Sequence, residues 1–153
     1  RSKGWIAMES QTLSSNVNWI QFPGFPGLYY NVLDVDPDDR FVQLLMKFEA
    51  GVKCIPHRHI GPVQTLVLEG EHQIFAIDDP SEPTDRRVAG TYSTHTGDES
   101  HIEGGGAEGA VILLSMEAKN GQIWETYNEQ LQVDRVSMPA DFRRGLRKQA
   151  TQD

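Results

Sequence analysis

Only one stretch of the chain, PADFRRGLRKQ at 139–149, carries helical spacing, and this confines the fold to one built mainly of strands. In that stretch Phe142 and Leu146 stand four apart, and Pro139 takes a first-turn position where its missing N–H costs nothing. Everything before it breaks into short apolar or alternating runs, at 17–22, 28–35, 41–48, 65–68, 73–77, 91–94, 110–118, 122–127 and 131–133. PGFPG, DPDDR and the hairpin pair Asn120-Gly121 punctuate them. The polar segment DDPSEPTDRR, 78–87, reads as one long surface loop. Many short strands with frequent turns predict an all-β sandwich or barrel, ending in a short C-terminal helix at about 139–149.

A chain of 153 residues fits one domain, 1–153, with a core of its own. Its net charge is -8, and its basic residues are scattered apart from Arg143, Arg144, Arg147 and Lys148. No basic patch suits phosphates, so nucleic acid is not an expected partner. No apolar run approaches the roughly 20 residues of a membrane span. The opening RSKGWIAMES has no apolar signal core, and a single cysteine, Cys54, rules out an internal disulfide. Both point to a cytoplasmic protein.

The chemistry sits in PHRHIGPVQTLVLEG, 56–70. On an extended strand, residues two apart share a face, so His57 and His59 project together. Two neutral imidazoles on one face can bind a single divalent ion at about 2.1 Å each. Taken alone, the same pair also suits two surface histidines on a strand edge.

The surroundings extend the pattern. Gly51, five residues, His57-x-His59 and a strand closing on Gly70 resemble the first cupin motif, at about 51–70. A degraded second motif follows at about 90–105, where Gly90 and His101 match but Thr96, Asp98 and Gly105 replace the family's Pro, Gly and Asn. The resemblance covers roughly 41–116 and implies a cupin double-stranded β-helix, a jelly-roll barrel. It also implies that His101 completes a metal site with His57 and His59. The motif's glutamate is missing: Val63 and Gln64 stand at its two permitted positions. Val cannot bind a metal and a Gln amide is a poor ligand. Gln64 is left as the candidate catalytic residue, touching metal, water or substrate. HRHIGPVQ resembles the branch of acetylacetone-cleaving and dihydroxyacetophenone dioxygenases, which hold iron(II) through three histidines.

That resemblance implies a non-haem Fe(II) dioxygenase that cleaves a C–C bond in a β-diketone or hydroxyketone, its partners being a small organic substrate and O2. With three neutral ligands the ion keeps its full charge, and an enolate can balance it. Neutral histidines also suit Zn, Ni, Cu or Mn, so iron comes from the resemblance alone. Two other readings stay open: a metal-binding sensor of the kind attached to anti-sigma factors, and a metal-dependent isomerase or lyase.

The remaining candidates carry bland alternatives. His72 suits a strand-face pair with Glu69 or Glu71, and His95 suits a supporting role or, with slipped register, the third ligand. Asp98 and Glu99 either orient His101 or form a solvated acidic turn, and Glu103 and Glu108 fall in EGGGAEG, which reads as a flexible turn. Arg58 and Cys54 are placed on the face opposite the histidines. Phe48, Tyr92, Met116 and Trp124 are candidates for an apolar pocket. The aromatic run WIQFPGFPGLYY suggests an interface and hence a homodimer or homotetramer.

Overall fold

The computed structural model describes residues 16–151; the opening RSKGWIAMES lies outside the described residues. Among the described residues ten strands precede one helix: β1 (Ile20–Gln21), β2 (Leu28–Val35), β3 (Phe41–Phe48), β4 (His57–His59), β5 (Val63–Phe75), β6 (Asp85–Val88), β7 (Tyr92–His95), β8 (Glu99–Glu117), β9 (Trp124–Tyr127), β10 (Val133–Ser137) and α1 (Pro139–Ala150).

The long strand β8 organises the barrel. Its second half is paired on one side with β3, from Phe41↔Glu117 to Phe48↔Ala110, and on the other with the first half of β5. Its first half pairs with β4 through His57↔His101 and with the end of β5 through His72↔Gly105 to Phe75↔Ile102. β4, β9 and β10 continue from there, while β6 and β7 pair with the outer edge of β5. Two bent strands thus pass from one sheet to the other, which closes the expected jelly roll. Inward-facing Leu44, Phe48, Ile112, Leu114 and Met116 fill it.

Glycine makes the bend possible. Gly70, with φ 70°, lies where β5 and β8 press together, and a Cβ there would sit 2.1 Å from the Gly109 carbonyl oxygen. The β5–β8 register slips between Val67 and Glu69 and again between Gly70 and His72. Before these bulges the odd-numbered residues Val63, Thr65 and Val67 are buried; after them it is His72 and Ile74. The two strands expected at 65–68 and 73–77 are therefore one strand, and the surface loop 78–87 gives way to β6 from Asp85.

The helix α1 is fixed against β2. Asp141 accepts a bond from the Met138 N–H at 2.8 Å and so starts the helix. Gln149 takes a bond from Val32 N at 2.6 Å and gives one to Val32 O at 2.9 Å, standing in for a neighbouring strand on the β2 edge. Phe142 is buried and meets Trp124 edge-on, ring centres 5.3 Å apart.

Candidate metal centre

β4 is only three residues, HRH, and alternation turns His57 and His59 into the barrel while Arg58 turns out to Glu125 and Asp98, at 2.7 and 2.5 Å. Pairing across β4 and β8 sets His101 directly beside His57. Two residues further on, the same alternation brings in Glu103, which is buried.

Four donor atoms converge. His57 Nε2 lies 3.1 Å from both His59 Nε2 and His101 Nε2, and 3.0 Å from Glu103 Oε2. Glu103 Oε2 is also 3.5 Å from His101 Nε2 and 3.9 Å from His59 Nε2. Ligand atoms about 2.1 Å from one ion sit about 3.0 Å apart in an octahedron and about 3.4 Å apart in a tetrahedron. The cluster has that edge length. His57 Nδ1 donates to the Ile55 carbonyl at 2.9 Å, so Nε2 is the nitrogen that would offer its lone pair inward once the ring gives up its other proton to an ion. The residues present therefore fit a metal, and His57, His59, His101 and Glu103 could hold one.

Charge in the cluster follows from Glu103. Burial opposes ionisation of this carboxyl, but His101, His57 and His59 hold it well below the usual range. Burial likewise opposes a charge on His57, yet Cys54 and Glu103 outweigh it and lift the imidazole to about 10. His101 rises to about 9 because Glu103 and Glu99 overcome its burial. His59 falls to about 4 through burial and the charges on His57 and His101. Both imidazoles therefore hold their protons at neutral pH, and an ion would displace those protons.

Around the donors stands a supporting ring. Glu99 Oε1 is 3.4 Å from His101 Nδ1, and its other oxygen is 3.2 Å from His95 Nε2. His95 thus supports the cluster through Glu99 and is not its third imidazole. Burial opposes the charge on Glu99, but His101 first of all holds the carboxyl below its ordinary value. His72 is completely buried and its Nε2 lies 2.8 Å from Glu103 Oε1.

Two cavities reach the cluster. The larger, of about 410 Å3, touches His57 and Glu103 and is walled by Phe22, Phe25, Tyr30, Trp124 and Phe142. Asp134, Arg135 and Asp141 also line it. The smaller, of about 30 Å3, touches His59, His101 and Glu103 among polar side chains and suits a water-sized occupant.

Several expectations change. Gln64 is exposed on the outer face of β5, between inward-facing Val63 and Thr65, and lines neither cavity; period-two alternation removes it from the site. The centre is not free of carboxylate, because Glu103 on β8 brings one from outside the usual motif. EGGGAEG is not a flexible turn: Gly104, Gly105 and Gly106 are buried within β8, where the Val52 and Glu49 carbonyls and the Glu71 side chain pass too close for larger residues. His72 pairs with Glu103 and not with Glu69 or Glu71, since the bulge turns it inward. Cys54 is on the site's side, its Sγ 3.6 Å from His57 Nδ1, because the chain is irregular before β4. Of the expected pocket residues only Trp124 lines the large cavity; Tyr92 is exposed, and Met116 and Phe48 are core. Phe22 and Phe25 of the aromatic segment face that cavity. The same-face rule that paired His57 with His59 would have found Glu103 from His101.

The sequence profile of the ChrR cupin-like domain matches residues 9–120, most of the chain. The chain belongs to that cupin family. No curated protein matches the cupin in sequence. Among solved structures it is similar to an acetylacetone dioxygenase from Acinetobacter johnsonii, at 16% identity and TM-score 0.71 over 97% of each chain. An RmlC-like cupin protein from Ralstonia eutropha JMP134 is similar at 15% identity and TM-score 0.71, over 93% of this chain and 87% of that one. The complex of SigE with the anti-sigma ChrR from Rhodobacter sphaeroides is similar at 22% identity and TM-score 0.53, over 66% of this chain and 49% of that one. At these identities the likeness establishes the fold. No helix among the described residues is long and apolar enough to cross a membrane.

Proposed function

We propose that this cupin is an Fe(II)-dependent dioxygenase that cleaves a C–C bond in a β-diketone or hydroxyketone-type small molecule. One observation carries the reading: a buried cluster of three imidazoles and one carboxylate forms part of the wall of an aromatic cavity of about 410 Å3. That volume is in the range of small-molecule sites, about 300–1000 Å3. Likeness to the acetylacetone dioxygenase of Acinetobacter johnsonii supports the choice of substrate class.

When bound, the ion would supply Lewis acidity toward an enolisable carbonyl and, as iron, reactivity toward O2. The chain's own residues do the rest. His57, His59, His101 and Glu103 hold the site, Glu103 cancelling one of the ion's two charges so that a mono-anionic enolate would make it neutral. The Ile55 carbonyl fixes the His57 ring, and Glu99 with His95 steadies His101. Phe22, Phe25, Trp124 and Phe142 exclude water from the apolar body of the substrate. The reaction breaks one C–C bond and leaves both oxygen atoms of O2 in the two carbonyl-bearing fragments.

The test is protein purified without oxygen and loaded with iron(II), followed by O2 uptake over a panel of β-diketones and hydroxyketones. Uptake with at least one compound, matched to its fragments, is expected; no uptake across the panel refutes the dioxygenase. Substrate loss without O2 uptake would favour an isomerase or lyase. The ChrR family match favours a metal-binding sensor as the second reading; such a protein would bind metal and turn over no substrate. His101→Ala should lose stoichiometric metal. The proposal includes a homodimer or homotetramer, for which exposed Val88 and Tyr92 on the β6–β7 flank offer apolar surface, and a cytoplasmic setting that agrees with the lone buried Cys54. Sedimentation at micromolar concentration tests the assembly, and a monomer would refute it.

A further inference from the structure

Glu103 uses its two oxygens differently. Oε2 faces the imidazoles, 3.0 Å from His57 Nε2, while Oε1 points away to His72 Nε2 at 2.8 Å. An ionised carboxylate only accepts, so His72 Nε2–H is the donor. A carboxylate with both oxygens free can chelate an ion through both and fill two coordination positions.

We infer that His72 is a positioning residue that keeps Glu103 a one-oxygen ligand and so leaves a coordination position open for an incoming ligand. His72 lies outside the candidate ligand set and is completely buried. Its Nδ1, like those of His59 and His101, has no hydrogen-bond partner among the described residues, so the bond to Glu103 is the one that fixes the ring. The strand is shaped to put the ring there. The slip between Gly70 and His72 turns the side chain inward, and His72 then stands opposite Gly105, which makes Glu103, two residues before Gly105, its diagonal neighbour. Gly105 has no room for a side chain: a Cβ would lie 2.9 Å from the Glu49 carbonyl oxygen.

The inference rests on the metal centre and not on the oxygen chemistry, so it is tested with cobalt(II) and azide, without substrate. Wild-type protein should bind one cobalt with a visible spectrum that shifts on azide addition. His72→Leu removes the donor; the freed oxygen should then take the open position. Cobalt binding should stay stoichiometric, the azide-free spectrum should change, and azide affinity should fall about tenfold or more, the scale seen when outer partners of ligands are lost. His72→Gln, which keeps an N–H donor, should recover most of the azide response. An unchanged spectrum and azide affinity in His72→Leu would overturn the inference, and so would outright loss of cobalt. If His72→Leu does not fold, His72→Asn, whose amide is too short to reach Oε1, carries the same comparison. Wild-type protein that takes up no cobalt would overturn the metal centre itself.

Discussion

Replacing Glu103 by Gln changes the charge of the cluster and little else. The amide has the same size, fills the same buried space, and can accept or donate toward His72 at 2.8 Å. What it removes is a buried carboxylate 3.0 to 3.9 Å from three imidazole nitrogens. Breaking a buried charge pair by neutralising one partner costs about 3–5 kcal/mol. At about 1.4 kcal/mol per decade, a divalent ion should bind Glu103→Gln about two to four orders of magnitude more weakly. Competition against a chromophoric chelator, with zinc or cobalt at fixed pH and salt, measures this directly. Circular dichroism of the metal-free variant checks that the barrel is intact. Affinity within threefold of wild type would mean that Glu103 is a bystander and that three histidines alone hold the ion.

Metal uptake should release protons near pH 7, since His57 and His101 both hold theirs at that pH and an ion displaces them; calorimetry in buffers of different ionisation enthalpy reads the release, and none at all would refute this. Without metal, both histidines have folded values above the ordinary 6.5, so their stabilising contribution is complete below pH 6.5 and fades as pH rises through about 9 to 10. Urea midpoints of metal-free protein should fall over that window, and a rise would be the wrong sign. Phe142→Ala should cost about 3 kcal/mol, the low end for a buried Phe because a cavity already borders it, and chemical denaturation tests that value. Gln64→Ala should leave metal affinity and turnover within twofold, because the side chain is exposed on the outer face; a tenfold loss would return it to the site.

Much of the barrel was legible because its strands obey local rules. β2 and β3 begin and end at the residues where alternation and turn chemistry put them, and α1 follows Pro139 as expected. Asn120 and Gly121, with φ 52° and 75°, make the hairpin that the dipeptide announces. His57, His59 and His101 come together because two motifs placed them on adjacent strands. What stayed hidden depends on non-local packing. A run of three glycines carries no side-chain pattern, and only neighbouring backbone explains why 104–106 is buried strand. Counting alternation along β5 fails at its bulges, so alternation alone pairs His72 with Glu69 or Glu71 and misses Glu103. Glu103 was hidden by the first of these: once its segment is a strand, its place two residues after His101 puts it in the cluster.

The central claim is that these four side chains bind one ion, and a crystal of metal-loaded protein measured at the metal's absorption edge tests it most directly. A single anomalous peak per chain is expected, about 2.1 Å from the Nε2 atoms of His57, His59 and His101, with Glu103 contributing Oε2 alone. Saturating metal with no peak there, or a peak bound by other residues, would contradict it.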